Sequence, residues 1–74
     1  MAAFDTPARW EVIRRLSGDG HVFRLGTVTR KADGYRFWPA VAHHRPSRKA
    51  HPTFEACLPR WVGYPDRCET RGLG

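Results

Sequence analysis

The sequence has only two cysteines, Cys57 and Cys68, and no Cys-x-x-Cys pair. Small zinc modules pair their ligands a few residues apart, so this spacing argues against a metal site even with His43, His44 and His51 nearby. Lysine is nearly missing too, being present only at Lys31 and Lys49. No apolar stretch approaches the roughly 20 residues that span a bilayer. The opening residues, MAAFDTPARW, lack the basic start and apolar run of a secretory signal. GTVTRKADG lacks the pattern of a glycine-rich phosphate loop. No pair of carboxylates stands out for acid–base work, since Asp19 and Asp33 belong to turn sequences. There is no internal repeat. Together these absences predict a cytoplasmic chain with reduced thiols, no membrane segment, no cofactor and no catalytic role.

What the chain does have is arginine. It supplies nearly all of a formal net charge of +6 over 74 residues. A guanidinium forks onto phosphates and stacks on bases, which an ammonium does poorly. Codon bias also produces arginine alongside alanine and glycine, but the physical consequence is the same: a small basic domain favours an anionic partner. Aromatic residues make up 12%, too many for a disordered chain. The length supports one domain, residues 1–74, with an ordered core at about 9–64 and loose termini.

Two turn sequences, Ser17-Gly18-Asp19-Gly20 and Ala32-Asp33-Gly34, cut out three strand-like segments. These are WEVIRRL (10–16), HVFRLGTVTR (21–30) and YRFWPAV (35–41), all rich in β-branched and aromatic residues. The alternation slips between Leu25 and Val28, and a bulge at Gly26 repairs it. One face then carries Val12, Phe23, Leu25, Val28 and Phe37. The other carries Arg15, Arg24, Arg36 and Trp38, with Arg30 near its end. Farther on, TFEACLPRWVGY (53–64) places Phe54, Cys57, Leu58, Trp61 and Val62 at helical spacing, with Thr53 as cap, Pro59 as a kink and Gly63 as the stop. The tail PDRCETRGLG has no periodic pattern and is expected to fray. The predicted fold is therefore α+β: a three-stranded antiparallel meander followed by one short, proline-kinked helix packed on one sheet face, with Phe37 and Trp61 buried together. That order is similar in arrangement, not in motif, to the arm-binding domains of integrases, and such likeness is weak support for function.

Two stretches carry candidate chemistry. HHRPSRKAH (43–51) brings Arg45, Arg48 and Lys49 beside three histidines, which add charge below about pH 6.5, and it leads into the predicted helix N-terminus, where free N–H groups favour anions. A solvated loop with no ligand explains the same residues. Ser47 or Cys57 beside a histidine could also form a nucleophilic dyad, but neither sits in a recognised frame. On the sheet, Arg24, Arg30 and Arg36 interleave with Trp38, the combination that holds a phosphate backbone while stacking on a base. Packing of Trp38 over Phe4 or Trp10 is the bland alternative. The leading expectation is a nucleic-acid-binding module, duplex DNA first, using Arg45, Arg48, Lys49, Arg24, Arg30, Arg36 and Trp38. The rival is a protein–protein module or inhibitor, of the type phages and plasmids use against larger assemblies, that meets an acidic protein surface. Trp, Tyr and Arg are also the residues of interface hot spots. A homodimer through a sheet edge is compatible with either.

Overall fold

The computed structural model describes residues 8–16, 18 and 20–73. The expected contacts of Phe4, the looseness of residues 1–7, and Ser17 and Asp19 of the first turn lie outside them. Four strands run in the order β1 (Arg9–Arg15), β2 (Val22–Lys31), β3 (Gly34–Pro39) and β4 (Glu69–Gly72). They form one antiparallel sheet with spatial order β3-β2-β1-β4. The three segments read as strands are strands, and Ala32-Asp33 makes the tight connection between β2 and β3, with Gly34 at φ 129°.

The meander-plus-helix prediction is wrong in two places. No α-helix is present among the described residues; residues 53–64 hold only two 3-10 turns, Glu55–Cys57 and Arg60–Val62. Pro59 is the cause. The residue before a proline is pushed out of the helical region, and Leu58 sits at φ −88°, ψ 122°. Pro59 itself is extended at ψ 161°, so the second turn starts afresh, and it ends where expected, at Gly63 in the left-handed region. The likeness to helix-bearing DNA-binding modules falls with the helix. The second error is the tail, which supplies β4 rather than fraying. Its pairing with β1 is held by side chains far apart in sequence: Arg71 donates to Glu11 at 2.6 and 2.9 Å, and Arg15 to Glu69 at 2.6 Å.

The bulge is real and lies one residue from its predicted place. Val12 faces Gly26 and Ile13 faces Arg24, which leaves Leu25 as the extra residue. This lets Leu25 join Val12, Val28 and Phe37 in the core, beneath Cys57, Val62 and Cys68. Phe23 does not join them and is 48% exposed. The reason is length. β3 reaches only to the partner of Gly26 and β4 only to that of Ile13, so Phe23 sits on a two-stranded extension that neither strand flanks. Leu16 and Val22, on the same extension, are also exposed. Trp61, expected in the deep core, is half-buried: it meets Phe37 edge-on at 5.8 Å and is stacked by His44 at 4.1 Å.

Arg14 ties the irregular layer to the sheet. Its guanidinium donates to the carbonyls of Arg67 (3.1 Å), Val62 (3.2 Å) and Trp61 (3.5 Å). Hydrogen bonds from a charged group contribute about 1.5–3 kcal/mol, so Arg14→Ala should lower the urea-derived unfolding free energy by about 2 kcal/mol. Arg14→Lys should recover only part of it, because an ammonium cannot fork across three carbonyls.

Candidate nucleic-acid interface

The strand register sorts the cations onto two faces. Residues directly opposite each other share a face. The rows Arg36–Thr29–Arg9 and Trp38–Thr27–Glu11–Arg71 therefore lie together, continued by Arg24 opposite Ile13 and by Arg15 opposite Val22. This is the face away from the Val12, Val28 and Phe37 core. It gathers Arg9, Arg15, Arg24, Lys31, Arg36 and Arg71 against only two carboxylates, Glu11 and Glu69. Glu11 lies between two arginines, with Arg71 at 2.6 Å and Arg24 at 3.9 Å, and its side chain is only 15% exposed. Arg36 pairs with Asp33 of the turn at 3.1 Å. These ion pairs are mostly solvent-exposed and contribute little to stability, roughly 0–1 kcal/mol each. They hold the guanidinium groups in a ladder across the sheet.

Trp38 lies in the middle of this face and is 43% exposed. Its indole N–H donates to Thr29 Oγ1 at 2.9 Å, which ties it to β2. Trp10 is on the opposite face and cannot cover it. Arg24, Arg36 and Trp38 are thus brought together as the sequence suggested. Arg30 is not. It stands opposite Tyr35, and its guanidinium lies over the ring of Trp10, 5.7 Å from the centroid, on the covered side. The bulge shifts parity by one residue between Arg24 and Arg30, so the two cannot share a face. Arg71 was missed because its segment has no alternation to read; its pairing partner, Glu11, is 60 residues away.

The basic loop has a defined path. Ser47 N–H donates to the Phe37 carbonyl at 3.0 Å, and Ser47 Oγ accepts from Phe37 N–H at 3.0 Å. His51 and Tyr35 exchange backbone bonds at 2.8 and 2.9 Å. The loop therefore runs along the outer edge of β3 and satisfies groups that an edge strand leaves open. A dimer through that edge is blocked; the outer edge of β4 has no strand beside it among the described residues. Arg48 and Lys49, between the two pins, are exposed. Arg45, also exposed, lines a cavity of about 250 Å³ with Ser47, His51, Cys57 and Pro59. It therefore faces the covered side of the loop. None of the three has an ion-pair partner among the described residues. The helix N-terminus expected to assist them does not exist. Thr53 Oγ1 does accept from Ala56 N–H at 3.1 Å, but it caps a single 3-10 turn.

The nucleophile readings find no partner. Ser47 Oγ serves the backbone of β3, and Cys57 Sγ donates to the Phe54 carbonyl at 3.0 Å. Among the described residues no three His, Cys, Asp or Glu side chains converge as a metal site would require, and no helix is long and apolar enough to cross a membrane. Both thiols are free and buried. Burial pushes the Cys57 thiol up from 9.0 to about 11, and raises Cys68 as well, with Arg14 opposing and Glu69 adding. The folded state thus favours the neutral thiols. That contribution is complete below pH 9 and is lost as pH rises from about 9 toward 11. The urea midpoint should fall across that window, and Cys57→Ala should flatten the fall. At pH 8 the native thiolate fraction of Cys57 is down about a hundredfold, so alkylation should be correspondingly slow until the chain unfolds.

No protein-family model, no curated protein and no solved structure gives a significant match to this chain.

Proposed function

We propose that this protein binds nucleic acid, duplex DNA in the first instance, through the open face of its sheet and the loop that borders β3. The observation that carries the reading is the composition of that face: six cations against two carboxylates, with an exposed, tethered Trp38 among them. A β-sheet can lie in a groove and reach base edges, while its flanking cations hold phosphates. Arg24 and Arg36 sit beside Trp38 for this role. Arg48 and Lys49 continue the positive surface past the β3 edge, and Arg45 reaches phosphate from the loop's far side. Because the loop is pinned at Ser47 and His51, less ordering entropy is lost on binding. Arg30 drops out of the contact set.

Five phosphate contacts, from Arg24, Arg36, Arg45, Arg48 and Lys49, give a slope of log affinity against log salt of about −4 to −5. Titrating a labelled duplex at several salt concentrations measures it. Absence of binding at low salt ends this reading.

A second reading, docking on a larger protein, draws on one feature: Leu16, Val22 and Phe23 are all exposed at the end of the β1–β2 hairpin. Phe23→Ser should leave DNA affinity unchanged under the first reading and abolish partner binding under the second.

A further inference from the structure

Four aromatic side chains crowd the covered side of the sheet, and all stay half-buried: Trp10 of β1, Tyr35 of β3, Phe54 before the first 3-10 turn and Tyr64 after the second. Their rings form a continuous wall. Trp10 and Phe54 meet edge-to-face at 5.1 Å, Trp10 and Tyr35 at 5.9 Å, Tyr35 and Phe54 at 6.0 Å, and Phe54 and Tyr64 at 5.8 Å. With Glu55 and Thr70 they line an open cavity of about 310 Å³. That is the low end of ligand pockets, which run roughly 300–1,000 Å³.

An aromatic ring presents a negative face. A cavity walled by several rings and one carboxylate selects a cation that is bulky and weakly hydrated, because such an ion loses little solvation on entering. The molecule already displays this preference within itself, since the Arg30 guanidinium lies over Trp10 despite the net charge of +6. Glu55 is exposed and has no ion-pair partner among the described residues. An unpaired carboxylate beside four rings, in so basic a protein, is a counter-charge awaiting a cation. We propose that this cavity binds a methylated ammonium group, with Trp10, Tyr35, Phe54 and Tyr64 as its walls and Glu55 as its counter-ion. The site faces away from Trp38, so it does not depend on the nucleic-acid reading.

The test titrates the intact protein with choline, with Nε-trimethyllysine, with unmethylated lysine and with 3,3-dimethylbutanol, the neutral isostere of choline. Tryptophan fluorescence and the Trp10 indole NMR signal report binding. At least one methylated cation should bind saturably, and at least about fivefold more tightly than lysine or dimethylbutanol, the factor that ~1 kcal/mol of cation–π attraction gives. Whichever of choline and trimethyllysine binds more tightly identifies the source of the group. Glu55→Gln, an exposed change that leaves the melting temperature unaltered, should weaken the methylated cation severalfold and leave dimethylbutanol unaffected. Equal affinity for dimethylbutanol, or no saturation by either methylated cation, overturns the proposal.

Discussion

Phe37→Ala is expected to lower the unfolding free energy by about 3–5 kcal/mol, the usual range for emptying a buried aromatic site. At roughly 0.05–0.15 kcal/mol per residue, a chain of 74 residues has only about 4–11 kcal/mol in total. The variant should therefore be partly or wholly unfolded at 37 °C. Phe37 holds this position because it is only 2% exposed and joins β3 to the rest of the core. Its ring also rests on Gly26. A Cβ added at Gly26 would lie 2.5 Å from Phe37 Cζ and 2.6 Å from the Trp38 carbonyl oxygen, far inside contact distance. The carbonyl is backbone and cannot swing aside. Gly26→Ala should cost at least the 1–3 kcal/mol typical of overpacking, and Gly26→Val should not fold. Because the two sites touch, their costs should not add. Gly26→Ala should cost less in the Phe37→Ala background than alone, by 0.5 kcal/mol or more. Chemical denaturation of the four proteins measures that coupling, and strict additivity would show that the ring does not rest on the glycine.

The second large effect concerns binding. Replacing Arg45, Arg48 and Lys49 together with Gln should reduce the salt slope by about 2.5 to 3, since each neutralised phosphate contributes about 0.9. All duplexes should weaken about equally, because phosphate contacts carry no sequence information. Stability should hold, since the loop is fixed by Ser47 and His51 and not by these exposed side chains. Changing Arg24, Arg36 and Trp38 should act differently and alter the preference among sequences. Arg30→Gln is the control: it stacks on Trp10 on the covered side and should leave the slope unchanged.

How much of this was legible in the sequence differs from element to element. The strands and hairpins were legible because β-branched and aromatic runs alternate between turn residues. The bulge was legible because Leu25 and Val28 could not otherwise share a face. The helix was misread for an instructive reason. Phe54, Cys57, Leu58, Trp61 and Val62 do all pack toward the core, so the apolar spacing marked the buried side correctly. Two consecutive 3-10 turns present nearly the same spacing, and Pro59 decides between them and a helix. β4 was illegible because Glu69-Thr70-Arg71-Gly72 carries no apolar alternation. Its place is set by Cys68 burial and by ion pairs to Glu11 and Arg15 that span more than fifty residues. The candidate interface followed the same rule. Arg24, Arg36 and Trp38 lie on one strand pair with a readable register, whereas Arg30 sits beyond the bulge and Arg71 on the unread strand.

The most direct measurement of the proposed interface is an NMR titration of the labelled protein with a short duplex at low salt. The Trp38 indole N–H, now bonded to Thr29 Oγ1, gives a signal distinct from those of Trp10 and Trp61. It should shift on binding, together with the amides of Arg24, Thr27, Thr29, Arg36 and residues 45–49. The Trp10 indole and the amides of Phe54 and Tyr64, on the covered side, should stay in place. Shifts confined to the covered side or to the hairpin end at Leu16, Val22 and Phe23, or no shifts at all, would contradict nucleic-acid binding by the open face.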